Sequence, residues 1–186
     1  MKNILLFILT ICFITGCEKS TDIEVYNENN TSVSNGIVYD IDEKPINGIY
    51  RTYYNNGSVK MEMSAQNGVP NGEGKFYDEN GNLQYSGTFN QGKITGKFYH
   101  YYDDGNIHNE LNYDNGIQTG PQLLYDDKGQ IQAEVIYKDG KAFSGYVIIN
   151  GEKTDLDADS LTDLSVSENL EEDINKFPNT PEDKRE

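Results

Sequence analysis

Two histidines, a run of alternating aspartates, a column of glutamates and a cysteine behind an apolar stretch are the residues whose types and spacing could do chemistry. His100 and His108 are the only histidines, and no Cys or Ser stands at a set place beside either, so a nucleophile–base–orienter arrangement is unsupported. Asp155, Asp157, Asp159 and Asp163 occupy positions one, three, five and nine of a calcium-loop pattern. Ser160 replaces its turn glycine, however, and Val166 its bidentate acid, so the run reads as a solvated acidic linker. No metal site, cofactor or enzymatic activity is expected.

The histidines belong to a larger pattern. Segments beginning at Gly48, Gly72, Gly96 and Gly120 align with one another at a period of 24 residues. Two further glycine columns keep that step, at Gly57, Gly81, Gly105 and Gly129 and at Gly68, Gly92, Gly116 and Gly140. A tyrosine column keeps it at Tyr53, Tyr77, Tyr101 and Tyr125. A fixed period of this length signals a stacked repeat array, which outranks any single motif. His100 and His108 then fall in columns where other units carry residues such as Leu124 or Gln84, as variable positions do. The glutamates Glu62, Glu110 and Glu134 recur on one face about 10 Å apart, too widely for a pair of catalytic carboxylates on a flat sheet.

Within a unit the second half alternates at period two. Val59, Met61, Met63 and Ala65 face one way, and Lys60, Glu62, Ser64 and Gln66 the other, as in a strand with one buried face. The apolar face recurs at Leu83, Tyr85, Gly87 and Phe89, at Ile107, Asn109, Leu111 and Tyr113, and at Ile131, Ala133, Val135 and Tyr137. Between the halves sit "NNG", "ENG", "DDG" and "DKG", whose glycine supplies the positive φ of a hairpin turn. The expected fold is all-β, an array of antiparallel hairpins in an elongated meander sheet. Its units span 48–71, 72–95, 96–119 and 120–144, within a domain from 36 to 150. The regular tyrosines serve either as cover for a thin sheet or as an aromatic platform for a glycan, peptide or protein. On the alternation rule, Tyr53, Tyr77, Tyr101 and Tyr125 are expected to pack on the sheet, while Tyr54 and Tyr102, one position on, look outward. Tyr50, Tyr54, Phe98 and Tyr102 are the candidate binding residues.

The unit "TGKFYHYYDDGNIHNELNYDNG" resembles the bacterial variant of the MORN repeat, whose members include proteins grouped as YwqK family antitoxins. The resemblance covers about residues 36–150. It aligns Lys44, Pro45, Ile46, Asn47 and Gly48 before the first unit with Lys141, Ala142, Phe143, Ser144 and Gly145 after the last. It implies a binding module whose partner is another protein, with a toxin as one such partner.

The chain's ends suggest where it works. "MKNILLFILTICFITGC" has a cationic start at Lys2 and an apolar run from Ile4 to Ile14, too short to span a bilayer with ease. Ile14, Thr15, Gly16 and Cys17 look like a bacterial lipobox, with residues 1–16 a signal peptide and Cys17 acylated. Residues 17–35 are polar and read as a tether, which places a lipid-anchored domain in the cell envelope. With 15 basic against 31 acidic residues the net charge is −16, so nucleic acid and anionic lipid surfaces are repelled. Half of that excess lies in the tail, 151–186. There Ser165 with Glu168 resembles a capping box ahead of a short helix carrying Leu170, Ile174 and Phe177.

Overall fold

A computed structural model describes residues 24–157 together with 160 and 161. Cys17 and its lipobox, the expected helix around Leu170, and Asp159, Asp163 and Val166 of the calcium pattern lie outside the described residues. The described chain is a sequence of strands: β1 (Val25–Asn27), β2 (Ser32–Ser34), β3 (Ile37–Tyr39), β4 (Gly48–Tyr53), β5 (Val59–Gln66), β6 (Val69–Tyr77) and β7 (Leu83–Asn90). It continues through β8 (Lys93–Tyr101), β9 (Ile107–Asp114), β10 (Ile117–Gln118), β11 (Gly120–Tyr125), β12 (Ile131–Lys138), β13 (Lys141–Ile149) and β14 (Glu152–Asp155). From β4 onward each strand pairs antiparallel with the next, β10 being a short piece on β9, so the expected meander is the fold.

Two turns per unit produce it. At the first, Gly57 N–H donates to the Tyr54 carbonyl and Tyr54 N–H to the Ser58 carbonyl, with Gly57 at φ 85°. That is a β-turn closed by a glycine bulge, and Gly81, Gly105 and Gly129 repeat it at φ 89°, 86° and 74°. The second turn links one unit to the next through Asn67–Gly68, Gln91–Gly92, Asn115–Gly116 and Asp139–Gly140, both residues of each pair having positive φ. This is the two-residue turn whose twist suits a hairpin, and Asn and Asp tolerate its first position. Between the two turns the register slips: Ala65 faces Pro70, yet Met63 faces Gly74, and Thr88 faces Thr95 while Gly87 faces Phe98. Such bulges bend a strand and add twist.

Burial follows the expected alternation from the second apolar position of each unit onward. Met61, Met63 and Ala65 are buried, as are Phe89, Leu111, Ala133 and Val135. The first position departs from it, because a register shift separates Val59 from Met61 and is repeated in later units: Ile107 and Ile131 are 36% and 37% exposed, and Val59 lines a hollow with Arg51 and Glu62. One row of paired residues runs through this face: Tyr50, Met63, Gly74, Gly87, Phe98, Leu111, Gln122, Val135 and Gly145. Large and small residues interlock along it. A Cβ on Gly87 would collide with the Phe98 ring, and one on Gly74 would come within 2.7 Å of Met63 and Phe89. Gly87, the gap in the apolar column of its unit, is the seat of an aromatic ring.

The ends depart from expectation. The span read as a tether is paired from Val25 onward: β1 lies parallel to β4, Val25 opposite Ile49, and Tyr26 packs on the core. Apolar Val25 and Tyr26 amid polar neighbours are what β1 uses. Likewise the tail expected from 151 begins as β14, paired with β13. At the exit Gly145 does not match Gly48. It pairs with Val135, in the row of Gly74 and Phe98. Only two residues separate Ala142 from Gly145, whereas three separate Ile46 from Tyr50. Ile46 is therefore buried while Phe143 is 69% exposed. Beyond β14, Ser160 N–H donates to Asp157 Oδ1 at 2.9 Å, capping a turn that packs Leu161 against Val135 and Tyr137.

The first-turn glycines border open space, since a Cβ added at Gly81, Gly105 or Gly129 would meet no atom within 4 Å beyond its chain neighbours. A substitution there meets only backbone strain. Gly81→Val, Gly105→Val and Gly129→Val should each cost about 1–3 kcal/mol. Urea denaturation of the three variants should give closely similar losses.

Candidate functional site

The polar face carries the second continuous row. Reading across the sheet, Arg51, Glu62, Lys75, Ser86, Tyr99, Glu110, Leu123, Glu134, Tyr146 and Asp155 are successive cross-strand partners. Each strand adds one residue, so ten strands bring together side chains spread over a hundred positions. Cross-strand opposite charges stabilise such a face. The Arg51 guanidinium meets Glu62 at 2.6 Å, and Lys97 meets Glu110 at 2.7 Å. Glu110 holds the Lys97 ammonium above its usual pKa, and Glu62 does the same for Arg51.

The regular tyrosines stand beside this row. Tyr77 and Tyr125 lie near the Glu62 and Glu110 carboxylates; burial raises their pKa, and those charges raise it further. Tyr101 shares a 2.9 Å hydrogen bond with Ser86 Oγ and packs 6.2 Å from the Tyr99 ring. Shallow hollows open among these groups, one of about 480 Å³ lined by Glu73, Ser86, Thr88, Lys97 and Tyr99 among others.

The face assignment of the tyrosines is thus the reverse of the expected one. Tyr53, Tyr77, Tyr101 and Tyr125 sit partly exposed on the polar face, with Tyr53 at 36%. Of the four candidate binding residues, Tyr50 is 3% exposed and Phe98 0%, both in the buried row, so neither offers a surface to a partner. Tyr54 and Tyr102 are half-buried at the hairpin ends. Their hydroxyls donate to the Tyr77 and Tyr125 carbonyls of the following unit, each at 2.7 Å. Where a unit has Asp at this position, Asp78 and Asp126, the carboxylate instead accepts backbone N–H groups of its own turn. The alternation of Tyr with Asp is accounted for by two ways of satisfying the turn. Arg51, Lys75, Tyr99 and Tyr146 do not stand out in the sequence. They become neighbours only once the register slip of each unit is known.

The variable histidines meet. His100 Nδ1 lies 3.2 Å from His108 Nδ1, the Tyr85 ring stacks on His100 at 4.6 Å, and the Tyr102 ring lies 4.3 Å from His108. Desolvation, aided by His108, pushes the His100 imidazole down to about 4, and burial lowers His108. Among the described residues no group of three or more His, Cys, Asp or Glu converges.

A family model for the MORN repeat variant matches residues 46–67, 70–91, 94–115 and 118–139, the four structural units in succession. The chain carries a four-unit MORN array. The matched spans begin two residues before Gly48, Gly72, Gly96 and Gly120, so the repeat is the hairpin plus its leading bulge. Comparison with curated proteins finds no match. Among solved structures, a crystal structure of an S. aureus TarM mutant in complex with fondaparinux, alpha-GlcNAc-glycerol and UDP aligns over 68% of this chain and 21% of that one. Its sequence identity is 16% and its TM-score 0.26. The MORN repeat is a structural unit of binding modules, and its family is not enzymatic. The array therefore presents surfaces.

The His100 shift gives a pH dependence with a definite sign. The unfolded imidazole takes a proton near pH 6.5 and the folded one only near pH 4. Between those values unfolding binds a proton, so this residue's contribution is intact above about pH 6.5 and is lost as the pH falls toward 4. Relative to His100→Leu, the wild type should lose stability over that interval and run parallel to it above about pH 7. Urea midpoints measured at half-unit steps test this.

Proposed function

We propose that the MORN array is the recognition domain of a lipid-anchored envelope protein, and that it binds a protein partner through the row on its polar face. The observation that carries the reading is the continuity of that row, from Arg51 to Asp155 across ten strands. Tyrosines such as Tyr99 and Tyr101 supply amphipathic contact area at low entropic cost, as at other protein interfaces. The carboxylates and the net charge of −16 favour a partner with a basic surface and speed its approach. The likeness to proteins grouped as antitoxins supports an immunity role. An exported chain would exercise that role against a toxin acting in the envelope.

A photo-crosslinking residue placed at Lys97 or Thr88, both exposed on the polar face, should capture a partner in envelope fractions. The same group at Asp104, on a hairpin tip, should not. Glu62→Gln with Glu110→Gln, which removes the negative charge without setting like charges together, should reduce capture at least tenfold and leave thermal unfolding within a few degrees of the wild type. Capture mainly from Asp104, or capture indifferent to the loss of these charges, would sink the polar-face reading.

The anchor is tested separately. Cys17→Ser should abolish labelling by a fatty-acid analogue and leave residues 1–16 attached. Equal labelling of the variant would remove the lipobox from the account.

A further inference from the structure

We propose that His100 and His108 form a two-imidazole site for a divalent transition-metal ion, Cu(II) being the best match, at the end of the third hairpin. The separation is the first argument. Two nitrogens bound to one ion at about 2.0–2.1 Å, at a tetrahedral or square angle, stand about 2.9–3.4 Å apart. The two Nδ1 atoms stand at 3.2 Å.

The second argument is the wall of rings around the pair. Tyr85 against His100 and Tyr102 against His108 wall the pair and fix the ring planes. Tyr102 is itself held by its bond to the Tyr125 carbonyl. Asn109, the cross-strand partner of His100, carries a buried amide oxygen with no hydrogen-bond partner, an orphaned acceptor of the kind found beside ligand sites.

With two protein ligands the site is open, and the remaining positions fall to water or to a group on a partner. Imidazole pairs of this sort favour Cu(II), at the top of the divalent series. The other units supply fold-preserving controls. Thr52, Phe76 and Leu124 stand where His100 stands, and Lys60, Gln84 and Gln132 where His108 stands.

Cu(II) is titrated into the full chain carrying Cys12→Ser and Cys17→Ser, to prevent reduction of the ion by thiol. Electron paramagnetic resonance then counts the coordinated nitrogens. The expected result is one equivalent of Cu(II) with splitting from two imidazole nitrogens. His108→Gln and His100→Leu should each lose the two-nitrogen spectrum and bind at least tenfold more weakly, with circular dichroism unchanged. A spectrum showing oxygen ligands only, or one unchanged in both variants, would overturn the site by assigning the ion to the carboxylates.

Discussion

A long meander sheet must cover its apolar face chiefly with its own side chains. Val38 and Ile46, from outside the twelve-stranded sheet, join the core cluster of Tyr50 and Met63, and Leu161 covers Val135. Within the sheet, Phe98 and Leu111 reach full burial, Phe98 lying over Gly87. The bulge in every unit bends the strands so that this face turns inward. Twelve strands in one sheet, with glycines placed for space in the core and for φ at the turns, are the consequences of that one requirement.

The polar face is arranged by the same geometry. Cross-strand pairing that stacks Tyr50, Met63 and Gly74 on one side necessarily stacks Arg51, Glu62 and Lys75 on the other. The interlocked row cannot slip by one residue without exchanging the two faces. The surface available for recognition is thus written in the residues between core positions. Its chemistry can vary from unit to unit while the core row stays put.

The period, the first turn and the buried strand face were all legible in the sequence, because each rests on local chemistry. Glycine at a positive φ and alternation at period two are readable over a few residues. Which face the regular tyrosines occupy was not legible. Along β4 the positions from Tyr50 to Tyr53 run without interruption, so alternation sets Tyr53 opposite Tyr50. With Tyr on both faces of that half, however, the sequence does not say which face is buried. The shift falls on the partner strand, between Val59 and Met61, and it is Val59 that it moves to the polar face. The Asn–Gly and Asp–Gly steps at the second turn carried enough information to pair Gln66 with Val69. The slip between Ala65 and Met63 is a property of the assembled sheet, and it hid the polar row.

The hydroxyls of Tyr54 and Tyr102 each tie one unit to the one after it, whereas Asp78 and Asp126 bond within their own turns. The tyrosine ties therefore staple the array in pairs, the first hairpin to the second and the third to the fourth.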